Sequence, residues 1–323
     1  MLLTISKRFE FSASRRLAVP AWSDASNRQV FGPENGAAYG SGRNDATAYR
    51  YGSVEGHHWV EFSAARRTVS PHLSPEENAR RFGPATRDHG HHYRLRVTLA
   101  GPRDPDTGLS ASPPLVREAL AAVHDDLDHC HLNDHVLVLA GRPVTTESLA
   151  RWMYDRLAVD LPVDRVRLLE RPDFFAEHHQ AGGTCIGMQR TFDAAHRLHS
   201  PHLDDAENVA VYERCNNPCG HGHTYRVEAT LAAPYDERGH HRRLHRPARR
   251  HRRRRGAVAG PPPGLGDPDF RDRPSTSENI VQALWPRLDA QLDRHLARLR
   301  LWETANNRFA LRRDDACAAL LEG

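Results

Sequence analysis

FDAAHRLHSPHLDDAENVAVYERCNNPCGHGHTYRVEATLAA, Phe192 to Ala233, is the stretch from which the rest of the chain can be read, because much of it is written twice. FSAARR from Phe62 repeats FDAAHR from Phe192, and SPHLSPEEN from Ser70 repeats SPHLDDAEN from Ser200. HGHHY (His89 to Tyr93) repeats HGHTY (His221 to Tyr225), and YRLRVTLAG from Tyr93 repeats YRVEATLAA from Tyr225. A fainter echo, FSASRRL from Phe11, has GSGRND (Gly40 to Asp45) where the HGH word would stand, and the pattern then stops. Self-similarity at this period means repeated structural units. The organisation expected is a partial, degenerate segment over 1–58, one copy over 60–180 and another over 186–313.

Each copy opens on alternating apolar residues, the signature of a half-buried strand, and YRLRVTLAG or YRVEATLAA supplies a second. In the middle copy two helical stretches follow, LVREALAAVHDDL from Leu115 and ESLARWMYDRL after a Thr145-Thr146 cap, then a strand around Val166 to Leu169. The last copy repeats the second helix as STSENIVQALWPRL from Ser275 and the late strand as ARLRLWETANN from Ala297. Its first helix is replaced by an arginine run and GPPPGLGDPD. The order β-β-α-α-β-β makes each copy an α+β domain, with helices on one face of an antiparallel sheet.

In a strand, residues two apart share a face, so His221 and His223 project together and Gly222 faces away. A hairpin partner carrying His196 brings a third imidazole opposite them. Three neutral histidines around zinc leave one tetrahedral position open, the catalytic arrangement. The competing reading is a chance pair in a chain with 22 histidines. Cys215 has two readings as well. With Cys219 it is a C-x₃-C ligand pair lacking a second cysteine pair; alone, beside a metal, it is a nucleophile or base with a depressed pKa.

Bulk properties bound these readings. The 323 residues have room for two ordinary domains, and a hydrophobic share of 39% with a mean hydropathy of -0.68 describes a polar globular protein. No apolar run reaches membrane-spanning length, and the opening MLLTISKRFEFSASRR reads as no secretory signal. Five scattered cysteines are an odd number and suit a reducing cytoplasm rather than a disulfide framework. The formal charge of +4 is local in origin: His240 to Arg255 holds nine arginines and no acid, so the remainder is mildly acidic.

FDAAHRL, CNNPCGHGHTY, PSTSEN (Pro274 to Asn279) and LWETANN (Leu301 to Asn307) together resemble the 6-pyruvoyltetrahydropterin synthase / 6-carboxytetrahydropterin synthase family. The resemblance covers the last 140 residues or so and, more weakly, the middle copy. It implies tandem tunnelling-fold domains, each a four-stranded antiparallel sheet with two helices on one face. It implies zinc on His196, His221 and His223, with Cys215 as catalytic base. Glu303 would anchor the pterin ring, with Thr276 and Glu278 near it. The implied substrate is 7,8-dihydroneopterin triphosphate; the product is 6-carboxytetrahydropterin, for a deazapurine pathway, or 6-pyruvoyltetrahydropterin. A homo-oligomeric ring is implied too.

The pattern is divided between the copies. The family's Asp-His pair, in L-D-H-x-x-L-N, is absent from the last copy and intact in the middle one as Asp128 and His129. The middle copy has Arg66 at the first zinc histidine, and Ala85 falls two residues short of the cysteine's spacing. His89 and His91 survive there, but a permanent guanidinium beside them argues against metal. The first segment has Arg15, Ser41 and Arg43 at the three ligand places. Complementation is therefore expected, with zinc and Cys215 from the last copy and Asp128 and His129 from the middle one. A catalytically impaired pterin or zinc binder acting as a scaffold is the alternative. The arginine run reads as a solvated loop, a nucleic-acid contact or a reading-frame slip over 238–266. No aromatic residues interleave its arginines, so nucleic acid is the weakest of the three.

Overall fold

Tyr93, Leu95, Val97 and Leu99 alternate with Arg94, Arg96 and Thr98, and a strand must put the two sets on opposite faces. In the computed structural model the apolar set is buried under helices. The structure describes residues 2–7, 21–31, 53–136, 139, 141–180, 183–232 and 268–313. Its strands are β1 (Leu2–Lys7), β2 (Ser53–Arg66), β3 (His89–Pro102), β4 (Val163–Arg171), β5 (Phe174–His179), β6 (Thr184–His196), β7 (His221–Leu231), β8 (Leu296–Trp302) and β9 (Asn307–Arg312). They form one sheet in the order β1-β9-β8-β7-β6-β5-β4-β3-β2, every neighbouring pair antiparallel.

The middle copy supplies β2 to β5 and the last copy β6 to β9, and the β5–β6 pairing fuses them. At that seam Ala176 faces Ile186, and at the far end Phe309 faces Ile5. The two junctions are equivalent. Ala176 pairs with Leu168 as Phe309 pairs with Leu301, and Ile5 precedes Phe11 by the interval separating Ile186 from Phe192. The N-terminal segment thus lays its first strand on β9 in the register of a complete copy. The rest of its motif, with Arg15, Ser41 and Arg43, lies outside the described residues.

One face of the sheet carries the helices. Over the middle copy lie α3 (Pro113–Leu127) and α5 (Thr146–Leu157), which bury Val116, Val123, Leu127, Leu149, Met153 and Leu157 against Leu95, Val97, Val166 and Leu168. Over the last copy lies α7 (Ser277–Gln291), burying Ile280, Val281, Leu284 and Leu288 against Val227, Leu299 and Leu301. The stretch where α3 would recur, with its arginine run, lies outside the described residues. The remaining helices are α1 (Asp24–Phe31), α2 (Pro75–Phe82), α4 (Leu132–His135) and α6 (Asp205–Tyr212). The repeated words S-P-E-E-N and D-D-A-E-N now have a cause. Ser74 with Glu77, and Asp204 with Glu207, are capping boxes opening α2 and α6. Asn208, fully buried, accepts from Ser200 N and donates to the carbonyls of Ser200, Leu203 and Asp204, and Asn78 repeats this bonding.

The other face is charged where the copies meet. Arg167 on β4 reaches Glu228 on β7 at 2.5 Å, crossing two strands, and Arg298 on β8 reaches Glu177 on β5 at 3.0 Å. Arg167 also holds Glu177 at 3.0 Å, while Arg300 and Gln189 hold Glu228 at 3.2 and 2.7 Å. Between them Gly187 faces Phe175, whose ring comes within 1.9 Å of where a Cβ would stand, so only glycine fits. Buried charges repay their desolvation only when fully paired, and removing one partner costs about 3–5 kcal/mol.

Burial alone would raise the Glu228 carboxyl, but the Arg167, Arg300 and Arg298 guanidiniums override it and hold it at about 2. A carboxyl lowered from 4.5 on folding stabilises the fold above pH 4.5, and that contribution is lost as pH falls through 2. Urea midpoints should therefore drop across this window. Glu228→Gln should flatten the dependence and lower stability at neutral pH by about 3–5 kcal/mol; a wild-type midpoint independent of pH there would contradict the network's role.

Candidate metal centre

β6 ends on His196, β7 begins on His221, and the register pairs the two directly, with Ala194 opposite His223. All three imidazoles therefore stand on the helix-covered face. His196 Nε2 lies 3.2 Å from His221 Nε2, ring centroids are separated by 4.6, 4.9 and 5.3 Å, and one nitrogen from each ring lies within 4.8 Å of the others. His196 Nδ1 donates to the Ser275 carbonyl at 2.8 Å, which leaves Nε2 as the lone-pair nitrogen facing its neighbours. Burial lowers the His196 pKa and favours the neutral ring.

This donor set fits a zinc ion. His223 Nε2 is buried without a hydrogen-bond partner, and imidazole lone pairs facing one another at this range repel unless a cation lies between them. Glu303, just past β8, places Oε1 3.8 Å from both His196 Nε2 and His223 Nε2. Below them the Tyr225 hydroxyl lies 3.5 Å from His196 Nδ1; burial first, then the Glu303 charge, pushes the phenol's pKa up, so it stays protonated.

Cys215 sits half-buried on a 3₁₀ turn, Glu213–Asn216, that follows α6. Its carbonyl accepts from Leu198 N at 2.9 Å, tying the turn to the end of β6. Asn216 accepts from Arg197 Nε at 2.9 Å and Asn217 from Cys219 N at 3.0 Å, so the asparagines shape this turn. Cys219 is exposed, and the ligand clusters among the described residues include neither cysteine. Thr276 spends its hydroxyl capping α7, and Glu278 is half-buried in the first turn. The P-S-T-S-E-N motif reaches the centre through the Ser275 carbonyl, a backbone contact no side-chain pattern announces. A second cluster, Glu177, His179 and Cys185, is gripped by Arg167 and Arg298, and burial pushes the Cys185 thiol up; that environment disfavours a cation.

In the middle copy a guanidinium occupies the centre. Arg66 stands opposite His89, as His196 stands opposite His221. Its Nη1 donates to the Val144 carbonyl at 2.9 Å, where His196 uses Ser275, and its Nη2 binds Glu170 at 2.5 Å. Glu170, the counterpart of Glu303, also takes His91 at 3.3 Å and the Thr146 hydroxyl. Ala85 accepts from Thr68 N at 2.7 Å, as Cys215 does from Leu198, so it fills the cysteine's place and the loop beyond absorbs the two missing residues.

Asp128 caps α3 and accepts from Ser63 N at 2.8 Å and from His129 Nδ1 at 2.6 Å; these two bonds, the Ser63 amide first, lower its pKa. His129 N donates to Ser63 O at 2.7 Å, and Ala65 N to Cys130 O at 2.9 Å. The segment is bonded to the outer edge of its own copy's β2. Three strands separate β2 from β6, about 19 Å at the usual spacing. Within one chain, backbone bonds thus hold Asp128 and His129 at the middle hairpin, away from His196, His221, His223 and Cys215.

The family model described as 6-pyruvoyl tetrahydropterin synthase matches this chain twice, over residues 57–181 and 185–246. The chain belongs to that family. Its tandem copies are α+β tunnelling-fold units, and in the structure the second continues past the matched residues through α7, β8 and β9. A 6-pyruvoyl tetrahydrobiopterin synthase of Dictyostelium discoideum is 35% identical over 117 residues, covering 35% of this chain and 87% of that protein. One of Drosophila melanogaster is 55% identical over 53 residues, 16% of this chain and 32% of that protein. The chain thus spans about a third of the fly protein. A 6-carboxy-5,6,7,8-tetrahydropterin synthase of Bacillus subtilis is 33% identical over 89 residues, 27% of this chain and 57% of that protein. No helix among the described residues is long and apolar enough to cross a membrane.

The two centres should respond unequally to loss of charge. Arg66→Met strands Glu170 in a buried place and should cost about 3–5 kcal/mol in urea unfolding. Glu303→Gln, whose carboxylate has no guanidinium partner among the described residues, should cost less than about 1 kcal/mol. Equal losses would mean that the last copy's carboxylate is also structural.

Proposed function

We propose that this chain is a zinc-dependent lyase of reduced pterins. Its substrate is 7,8-dihydroneopterin triphosphate, and its product 6-carboxytetrahydropterin for a deazapurine (queuosine) pathway or 6-pyruvoyltetrahydropterin, in the cytoplasm. One observation carries the reading: three converging imidazoles, two of them with a buried nitrogen lacking a hydrogen-bond partner, beside a carboxylate that no guanidinium claims among the described residues. Zinc held by His196, His221 and His223 would acidify the substrate's side-chain hydroxyls. Glu303 is suited to accept paired hydrogen bonds from a pterin's amino and ring N–H groups, fixing the ring. Cys215, on its tethered turn, would take up the side-chain proton, and the protonated Tyr225 can steady the charge beside it. Among the described residues the sheet ends at β1 and β2, the edges along which a homo-oligomer would add a further chain.

The second reading, an impaired binder, is favoured by one fact: no Asp-His pair accompanies the zinc hairpin among the described residues of the last copy. Incubation with the triphosphate, with and without chelator, followed by mass identification of the product separates the two. A product formed only without chelator is expected. Cys215→Ala should lower turnover about 10²–10⁴-fold with zinc retained, and His196→Ala should lose the zinc. Substrate returned intact by a zinc-loaded chain would favour the binder.

A further inference from the structure

On the face of the sheet away from the helices, the two copies differ at one pair of opposed residues. In the last copy Glu228 on β7 stands directly opposite Arg300 on β8, 3.2 Å from it. YRLR from Tyr93 corresponds to YRVE from Tyr225, so Arg96 takes the place of Glu228. Arg167 takes the place of Arg300, three residues before Glu170 as Arg300 is three before Glu303. The middle copy therefore sets Arg96 directly opposite Arg167. Like charges opposed on neighbouring strands repel.

Arg167 turns away, to Glu228 at 2.5 Å and Glu177 at 3.0 Å, where Arg298 and Arg300 also bind. Arg96 is left over. Its Nε is buried without a hydrogen-bond partner, and no carboxylate among the described residues forms an ion pair with it. Burial first, then the Arg167 charge, lowers its pKa, so positive charge outweighs Glu177 and Glu228 at this place.

The surroundings suit an incoming anion. Trp59 lies directly opposite Arg96 on β2 and is 50% exposed. The Arg94 and Arg96 guanidiniums lie 5.0 and 5.9 Å from the centre of its ring. A guanidinium laid over an aromatic ring keeps its N–H edge free to grip an oxyanion. Arg94 gives Nε to Glu61 at 2.8 Å, and its Nη groups have no partner among the described residues.

We propose that Arg96 and Arg94, over the Trp59 ring, bind a phosphate-class oxyanion that supplies to the middle copy the negative charge Glu228 supplies to the last. The anion accepts from the Nη groups of both arginines and offsets the repulsion between Arg96 and Arg167. A tetrahedral dianion has oxygens enough for two guanidiniums at once. The site lies on the opposite face of the sheet from the three histidines and is independent of the lyase reading. The same contacts serve inorganic phosphate and a phosphomonoester, and titration with each separates the two sources.

The test is titration of the full-length chain with sodium phosphate and with glycerol phosphate, each against sodium chloride of equal ionic strength. Tryptophan fluorescence and the urea midpoint are read together. A saturable fluorescence change and a rising midpoint are expected with phosphate and not with chloride. Tighter binding of the free ion, or of the ester, identifies the source. Arg96→Met should weaken binding at least tenfold, as loss of one charge-assisted hydrogen bond does, with the circular dichroism unchanged. Arg96→Glu, which copies Glu228 into the middle copy, should abolish binding and raise the urea midpoint in phosphate-free buffer, because Arg167 then faces a carboxylate. Trp59→Phe should remove the fluorescence change and keep the shift in midpoint. A phosphate response no larger than that to chloride, or one that survives Arg96→Glu, would overturn the proposal.

Discussion

Everything at the candidate metal centre follows from the antiparallel register of β6 and β7. Pairing His196 with His221 puts three imidazoles on one face, and a slip of one residue would send His221 and His223 to the other. The register is held from the core side by Tyr225 and Val227, fully or nearly buried, and by Phe192 stacked on Tyr225 with centroids 5.2 Å apart. The last constraint comes from the entry to α7, where the carbonyl of Ser275, just before the Thr276 cap, turns the His196 ring so that its Nε2 faces inward.

The middle copy shows what the same frame does once that set is broken. Its Phe62 stacks on Tyr93 at 4.9 Å and its hairpin register is the same, but Arg66 brings a permanent charge and a planar fork. The guanidinium satisfies the Val144 carbonyl and Glu170 at once. In effect it stands in for both an imidazole and a cation. The anchoring carboxylate is thereby closed off, so two hairpins of one design have separate chemistry.

Fusing the copies created a second demand. The β5–β6 seam brings Arg167, Glu177, Glu228, Arg298 and Arg300 together on the face away from the helices, most of them nearly inaccessible to water. Pairing across non-adjacent strands draws the sheet face together, and Gly187 leaves room for the Phe175 ring between the two halves.

Repetition of short words, FDAAHR against FSAARR and HGHTY against HGHHY, was enough to show tandem copies, strand order within each hairpin and which three histidines converge, because a two-residue strand period dictates which side chains face together. The family was legible through the resemblance carried by FDAAHRL, CNNPCGHGHTY, PSTSEN and LWETANN. What the words did not contain was anything that depends on distance between elements. Ser275 acts through its backbone, the Arg167–Glu228 pair spans two intervening strands, and Ala85 reaches the cysteine's place despite a shorter loop. Asp128 and His129 were visible as a pair, yet only the bonds to Ser63 and Ala65 assign them to β2 instead of the β6–β7 hairpin. Local pattern dictates which face a residue takes; which neighbour it meets is decided by packing between segments far apart in the chain.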